Sequence, residues 1–253
     1  MNLHLSEQNN HNALIVVAKQ PAPGKTKTRL SPPLSPELAS DLYECFLLDT
    51  LDLIRSVPGI QPAIAYLPEG ASDYFASLAP DFDLLLQSGR NLGERLDHAL
   101  TSYLQSGYRG AVIMDSDSPS LPVECLASAF EMLENDSDVV IGPCEDGGYY
   151  LIGLKEPHPR LLREVRMSTP HVTADTLILA EQESLQVGLL PTWYDVDDHR
   201  SLRRLQAELN HAPDGLAYHT RIALNRAAIR EALASLSNQK LIPNRGGKSA
   251  ILP

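Results

Sequence analysis

The chain has 253 residues, 43% hydrophobic and 21% charged, which suits one large globular α/β domain. Its 21 Lys and Arg against 32 Asp and Glu give a formal net charge of −11. That balance argues against a nucleic-acid-binding or anionic-membrane protein, since both need clustered positive charge, and leaves room for a small phosphorylated ligand met by a few local cations.

Three cysteines, Cys45, Cys125 and Cys144, are odd in number and far apart, with no C-x-x-C pair. They read as reduced thiols, not as a disulfide framework or a zinc site. Residues 1–12 are polar and lack the apolar core of a signal peptide. No apolar run approaches the roughly 18–20 residues that span a bilayer. The expectation is a cytoplasmic protein with no membrane span, ordered over residues 13–236 and with disordered tails at 1–12 and 237–253.

In chain order, Ala13 to Ala18 is an unbroken β-branched run and reads as a buried strand. Lys19 to Pro36 carries five prolines and reads as a loop. Ser35 then offers an N-cap and Pro36 a first helical position. Leu38, Leu42, Cys45, Phe46, Asp49 and Leu53 recur near the helical period, and Pro58-Gly59 ends that helix. Strands follow at 61–67 and 83–87, with a short helix at 72–78 between them and a longer one at 91–105 after them.

The run Ala111-Val-Ile-Met-Asp115-Ser-Asp117-Ser-Pro119 is the central strand, ended by turn residues. Its two carboxylates sit at the carboxyl end, where open α/β sheets bind ligands. Hard oxygen donors there suit Mg²⁺, which takes one or two carboxylates and fills its shell with water and phosphate. A polar strand-to-helix turn is the plainer account of Asp-Ser-Asp taken alone. A helix at 123–133, strands at 138–142 and 149–154, a short helix within 159–165, a helix at 173–182 and a strand at 185–190 come next. A helix at 201–210 and a terminal helix at 216–236 complete the chain. No repeat or interdomain linker interrupts it. Alternating strands and helices predict a single-domain, mostly parallel mixed sheet with helices on both faces.

Three segments are candidate sites. The loop after the first strand, Lys19 to Arg29, gathers Lys19, Lys25, Lys27 and Arg29 around Gly24, as a phosphate contact requires. A solvated basic loop is the alternative, less favoured because this acidic chain concentrates its cations there. Gly24-Lys25-Thr26 is not a P-loop: the motif needs glycine at position 19, which is Lys, and Pro32-Pro33 stops the required helix. A P-loop NTPase stays a minor alternative. In Glu145-Asp146-Gly147-Gly148-Tyr149, Asp146 is a candidate base beside glycines that allow a ligand close approach, or equally a solvated residue of a Gly-Gly turn. In Asp195-Val-Asp197-Asp198, Asp197 offers a second metal carboxylate and Asp198 an N-cap. His171 and His199 lack spaced partner ligands and read as surface or capping residues; Trp193 reads as core packing.

Taken together, Ala18 to Leu30, Leu92-Gly-Glu-Arg-Leu96, Asp117 to Pro122, Gly142 to Leu154 and Asp195-Val-Asp197 resemble, in order, a bacterial family of glycosyltransferase-like proteins long catalogued as a domain of unknown function. The resemblance implies the nucleotide-diphospho-sugar transferase (GT-A) fold. It implies a nucleotide held by Ala18, Lys19, Gly24, Lys27, Arg29, Gln87 and Gly93, and an acceptor near Gly147, Gly148 and Tyr149. Asp117 is implied as the principal Mg²⁺ or Mn²⁺ ligand, with Asp197 second and Asp115 third; the family pattern more often has Gly at position 115. The activity implied is metal-dependent transfer of a sugar from a nucleotide-diphosphate donor to a small-molecule acceptor, with Asp117 and Asp146 as catalytic residues. More distantly, the segments look like guanylyltransferases, which use an NTP and release pyrophosphate. A non-catalytic nucleotide-binding module is the third class.

Overall fold

The computed structural model describes residues 11–239. Seven strands form one sheet: β1 Asn12–Lys19, β2 Ile60–Leu67, β3 Asp83–Leu86, β4 Ala111–Met114, β5 Val139–Pro143, β6 Tyr149–Leu154 and β7 Val187–Leu189. Their order is β3-β2-β1-β4-β6-β5-β7, all parallel except β6, which runs antiparallel between β4 and β5. The reversed strand brings the turn before it, residues 144–148, to the same edge as the carboxyl ends of β1 and β4.

Helices α1 Pro36–Arg55, α2 Ser72–Leu78 and α4 Val123–Glu134 cover one face; α3 Leu92–Gln105, α5 Arg160–Arg163 and α6 Val172–Gln182 cover the other. The period of two along β1 sorts them. Leu14, Val16 and Ala18 face the first group, while Ala13 and Ile15 face the second. A further layer, α7 His199–Leu209, α8 Tyr218–Leu224 and α9 Ala227–Gln239, packs on α1 around Leu42, Phe46, Leu202, Leu205 and Leu224.

Helix α1 therefore has two apolar stripes. Leu47, Leu51 and Ile54 meet the sheet, whereas the stripe through Leu42, Cys45 and Phe46 meets the outer helices. Asp49 belongs to that outer stripe for a polar reason: its carboxylate accepts the backbone N–H groups of His219 and Thr220, each at 2.8 Å. It thus caps α8, whose own N-cap residue, Ala217, has no side-chain acceptor.

The single terminal helix expected at 216–236 is two helices. Asn225 closes α8, its N–H shared between Arg221 and Ile222 carbonyls, and α9 starts at Ala227. The bend lets Ala223 and Leu224 of one and Ile229 and Leu233 of the other enter the same cluster. The expected tails fall mostly outside the described residues. Within them, Asn12 already belongs to β1, with its amide donating to Glu134 at 3.1 Å, and α9 continues through Gln239. The expected caps hold: Ser35 accepts from Leu38, and Asp198 forms a capping box with Ser201. All three cysteines are free and buried. Among the described residues no helix is long and apolar enough to cross a membrane.

Candidate active site

The loop after β1 is shaped by its own hydrogen bonds. The buried Thr26 hydroxyl donates to the Ala22 carbonyl and accepts the Ala22 N–H, while Lys25 N–H also reaches Ala22. Gly24, at φ 72°, sits at the tip of that turn, where an L side chain is strained. Lys27 follows in the left-handed region, at φ 47° and ψ 41°, and its ammonium turns inward.

There Lys27 Nζ lies 2.9 Å from Asp117 Oδ1 and 2.8 Å from Asp197 Oδ1, with its side chain only 5% exposed. Burial opposes the Lys27 charge, but the Asp117 and Asp197 carboxylates outweigh it and hold the ammonium protonated above its ordinary range. Burial likewise opposes ionisation of Asp197, yet Lys27 and then Arg29, 3.5 Å away, bring its carboxyl below the usual value.

Each carboxylate is placed by backbone pairing. Asp115 N–H bonds the Tyr150 carbonyl, extending the β4–β6 ladder by one residue, and Asp115 Oδ1 accepts the Asp117 N–H at 3.1 Å. The two aspartates are thus the ends of one turn. Val196 N–H bonds the Asp117 carbonyl at 2.8 Å, and Ser118 Oγ donates to Tyr194, which ties segment 193–197 alongside. At its other end Trp193 pairs with Pro143 and Glu145 through backbone bonds.

Tyr43 of α1 joins β1 to β4 and was not legible as a site residue. Its hydroxyl accepts the Lys19 N–H at 3.1 Å and lies 3.0 Å from Ser116 Oγ, which itself reaches the Val17 carbonyl. Burial, with the Asp117 charge, pushes the Tyr43 phenol up to about 12.

These groups line a cleft of about 730 Å³ at the carboxyl edge of the sheet. Of the sequence-derived site residues, Ala18, Lys19, Lys27, Arg29, Gln87, Asp115, Asp117, Asp146, Gly148, Tyr149 and Asp197 line it. Gln87 is held by its amide donating to the Ala65 carbonyl at 2.8 Å and, more weakly, to Ala18. Gly24, Gly93 and Gly147 are not in the lining. A Cβ on Gly93 would stand 2.0 Å from the Leu162 carbonyl, and one on Gly147 2.0 Å from that of Pro170. Backbone packing accounts for both glycines without a ligand. The lining also includes Arg95 and the stretch Met167 to Pro170; Arg95 lies in the Leu92–Leu96 motif, but no spacing or composition marks the loop.

The acidic residues fit a hard divalent cation. Asp117 and Asp197, whose carboxylates meet at Lys27, present only oxygen donors, against the ammonium of Lys27 and the more distant Arg29. The excess of negative charge is visible in protonation. Burial, then the Asp117 charge, keeps the Asp115 carboxyl well above its ordinary value. Burial, then Asp197 and Asp146, raises Asp195 to about 6. Lys27 spans the two carboxylates that the resemblance implies as metal ligands, so a cation held there would compete with the ammonium for the same oxygens.

The family model described as an uncharacterized protein conserved in bacteria (DUF2064) matches residues 50–169. A candidate nucleotide-diphospho-sugar transferase from Desulfovibrio desulfuricans G20, solved as a crystal structure, is 32% identical with TM-score 0.81, covering 88% of this chain and 98% of its own. The 4-diphosphocytidyl-2C-methyl-D-erythritol synthase of Anaerococcus prevotii DSM 20548 shares the fold at 12% identity and TM-score 0.55, over 80% of this chain and 97% of its own. CMP:2-keto-3-deoxy-manno-octonic acid synthetase, solved with CTP, shares it at 9% identity and TM-score 0.53, over 79% and 99%. No curated protein matches. The chain belongs to the bacterial DUF2064 family and has the nucleotide-diphospho-sugar transferase fold.

Proposed function

We propose that the chain is a metal-dependent glycosyltransferase moving a sugar from a nucleotide-diphosphate donor to a small-molecule acceptor. The observation that carries this reading is the meeting of Lys27 with Asp117 and Asp197 at the carboxyl ends of β1 and β4, inside a cleft large enough for a nucleotide. Lys25 and Arg29 flank the same cleft and, with Lys27, supply the positive charge for donor phosphates. Asp117 and Asp197 would hold Mg²⁺ or Mn²⁺, whose charge would neutralise that developing on the diphosphate.

Asp146, exposed at the cleft with Oδ1 accepting the Gly148 N–H at 2.9 Å, would take the proton of an acceptor hydroxyl. The acceptor oxygen then bonds to the anomeric carbon as that carbon's bond to the diphosphate breaks. Tyr149, Met167 and Val172 give the cleft a less polar flank beside Asp146. Asp117→Asn is expected to abolish metal-dependent turnover of a nucleotide sugar; near-normal activity in that variant would sink the proposal.

One observation favours a second reading. Lys19, Lys25, Lys27 and Arg29 all line the cleft, a cation count that suits a triphosphate as well as a diphosphate. A nucleotidyltransferase would join a phosphorylated acceptor to the α-phosphate of an NTP. Product analysis separates the two: pyrophosphate for nucleotidyl transfer, a nucleoside diphosphate for glycosyl transfer.

A further inference from the structure

We infer that Tyr43 is a positioning residue for the transfer reaction: with Ser116 it fills the gap that opens between β1 and β4 and holds the cations of the first loop in register with Asp117. The inference rests on the transferase reading, because it takes the cleft to bind a metal-complexed diphosphate.

The gap is a property of the sheet. β1 pairs with β4 only from Ala13 to Val16, whereas its pairing with β2 continues to Lys19. Past Met114 the chain stays with β6, through the Asp115 N–H on the Tyr150 carbonyl, and leaves β1. The strand order reverses between β1 and β4, so the divergence lies at the switch point where open α/β sheets bind ligands. Backbone groups alternate in direction along β1: the Ala13 N–H reaches Gly110 on the β4 side, and the Gln20 N–H reaches Leu67 on the β2 side. The Val17 carbonyl and the Lys19 N–H therefore point toward β4 at a level where β4 has already turned away, and need other partners.

Side-chain hydroxyls take both. Ser116 Oγ donates to the Val17 carbonyl at 3.1 Å, so its proton is spent and it accepts from the Tyr43 hydroxyl, 3.0 Å away. Tyr43 in turn accepts the Lys19 N–H at 3.1 Å. The chain of donors thus runs in a fixed direction, from Lys19 through Tyr43 and Ser116 to Val17. Tyr43 and Ser116 are 5% and 4% exposed, and the phenol has no proton left for a ligand. Its part is to position. Phe46, three residues on and so on the same face of α1, sets its ring 6.0 Å from Lys27 Nζ. One face of α1 therefore anchors the switch point and backs the ammonium.

What is positioned follows from where the ends of the chain lie. Lys19 opens the loop that carries Lys25, Lys27 and Arg29, and Ser116 sits between Asp115 and Asp117. The Tyr43–Ser116 bond sets the spacing between the cations for the phosphates and the carboxylate for the metal. A metal-complexed diphosphate needs both at once, whereas a metal ion alone needs only the carboxylates.

Isothermal titration calorimetry of the full-length protein tests this with Mg²⁺ alone and with inorganic pyrophosphate in excess Mg²⁺. A hydrogen bond of this kind is worth about tenfold in an equilibrium constant. Tyr43→Phe and Ser116→Ala are each expected to weaken Mg²⁺–pyrophosphate binding about tenfold and to leave the binding of Mg²⁺ alone as in wild type. Because the hydroxyls act as one chain, the double variant should lose no more than either single one. Thr50→Val removes another buried hydroxyl of α1, bonded to the Phe46 carbonyl at 2.9 Å and outside the cleft, and should leave both affinities unchanged. Should Tyr43→Phe fail to fold, Ser116→Ala decides. The inference is overturned, with the transferase reading intact, if Mg²⁺–pyrophosphate binds Ser116→Ala as it binds wild type. Equal weakening of Mg²⁺ alone, additive losses in the double variant, or a matching loss in Thr50→Val would overturn it too. Wild type that binds no Mg²⁺–pyrophosphate would overturn the transferase reading itself, and the inference with it.

Discussion

Replacing Lys27 with Met removes the ammonium between Asp117 and Asp197 and keeps most of the aliphatic stem. Breaking a fully buried ion pair costs about 3–5 kcal/mol, whereas exposed pairs are worth about 0–1 kcal/mol. Lys27 is 5% exposed, but its partners are 33% and 41% exposed, so water recovers part of the loss. The expected destabilisation is about 1–3 kcal/mol, and at roughly 2–4 °C per kcal/mol for a domain of this size Tm falls by roughly 2–12 °C. The variant leaves two carboxylates facing each other with no cation between them, so Mg²⁺ gains where the ammonium was lost. Mass action gives about 2.7 kcal/mol of stabilisation at a hundred times Kd. Scanning calorimetry with and without Mg²⁺ should therefore show a larger Mg²⁺-induced rise in Tm for Lys27→Met than for wild type. An unchanged Tm together with an unchanged Mg²⁺ response would refute the claim that Lys27 and a metal ion share these oxygens.

Three further outcomes follow from the same structure. Gly93→Ala places a methyl 2.0 Å from the Leu162 carbonyl and must push α3 from α5, so denaturant titration should show a loss of about 1–3 kcal/mol. Asp198→Ala removes the capping box of α7 and should cost about 1 kcal/mol in the same assay, with Asp198→Asn close to wild type. The third concerns pH. Burial raises the Asp49 carboxyl in the folded chain, only partly offset by its bonds to Thr220 and His219. The folded state then holds that proton more tightly than the unfolded one, so its contribution is fully present below the ordinary carboxylate value and is lost as pH rises through the folded value. Stability of wild type relative to Asp49→Asn should accordingly fall as pH rises through that window; a difference that stays flat with pH would contradict it.

The sheet was legible because its signals are local. β1 and β4 are continuous apolar runs buried on both faces, and a run of that kind has few other homes. Ser35-Pro36 and Asp198 mark helix starts through short-range chemistry, and both are observed in place. The outer helical layer was harder, for a physical reason. Periodicity says that a stripe on α1 is apolar, but not whether it meets a sheet or other helices, and α1 has a stripe for each. The break at Asn225 has no local signal, because Ala, Leu and Arg on both sides favour helix, while the turn is favoured by burying Leu224 and Ile229 in one cluster, a tertiary effect.

At the site, residue types were legible and pairings were not. Nothing in the spacing of Lys27 and Asp197, 170 positions apart, says that they bond; the sheet order and the Asp117–Val196 backbone bond bring them together. The structure also divides Asp115 from Asp117 by geometry. In an unbroken strand the two would share a face, but β4 ends at Met114 and Asp115 spends one oxygen closing the turn onto the Asp117 N–H. Asp115 is then the less available ligand, and its raised carboxyl pKa follows from burial beside Asp117. The same logic yields opposite expectations for the two substitutions. Asp117→Asn removes charge that Lys27 balances, leaving the ammonium buried against Asp197 alone. Asp115→Asn removes a charge that burial already disfavours and keeps an oxygen for the Asp117 N–H, so it should leave Tm unchanged or raise it by a few degrees. A Tm loss in Asp115→Asn as large as in Asp117→Asn would show that Asp115 carries a paired charge, and the turn would have to be reassigned as part of the ion network.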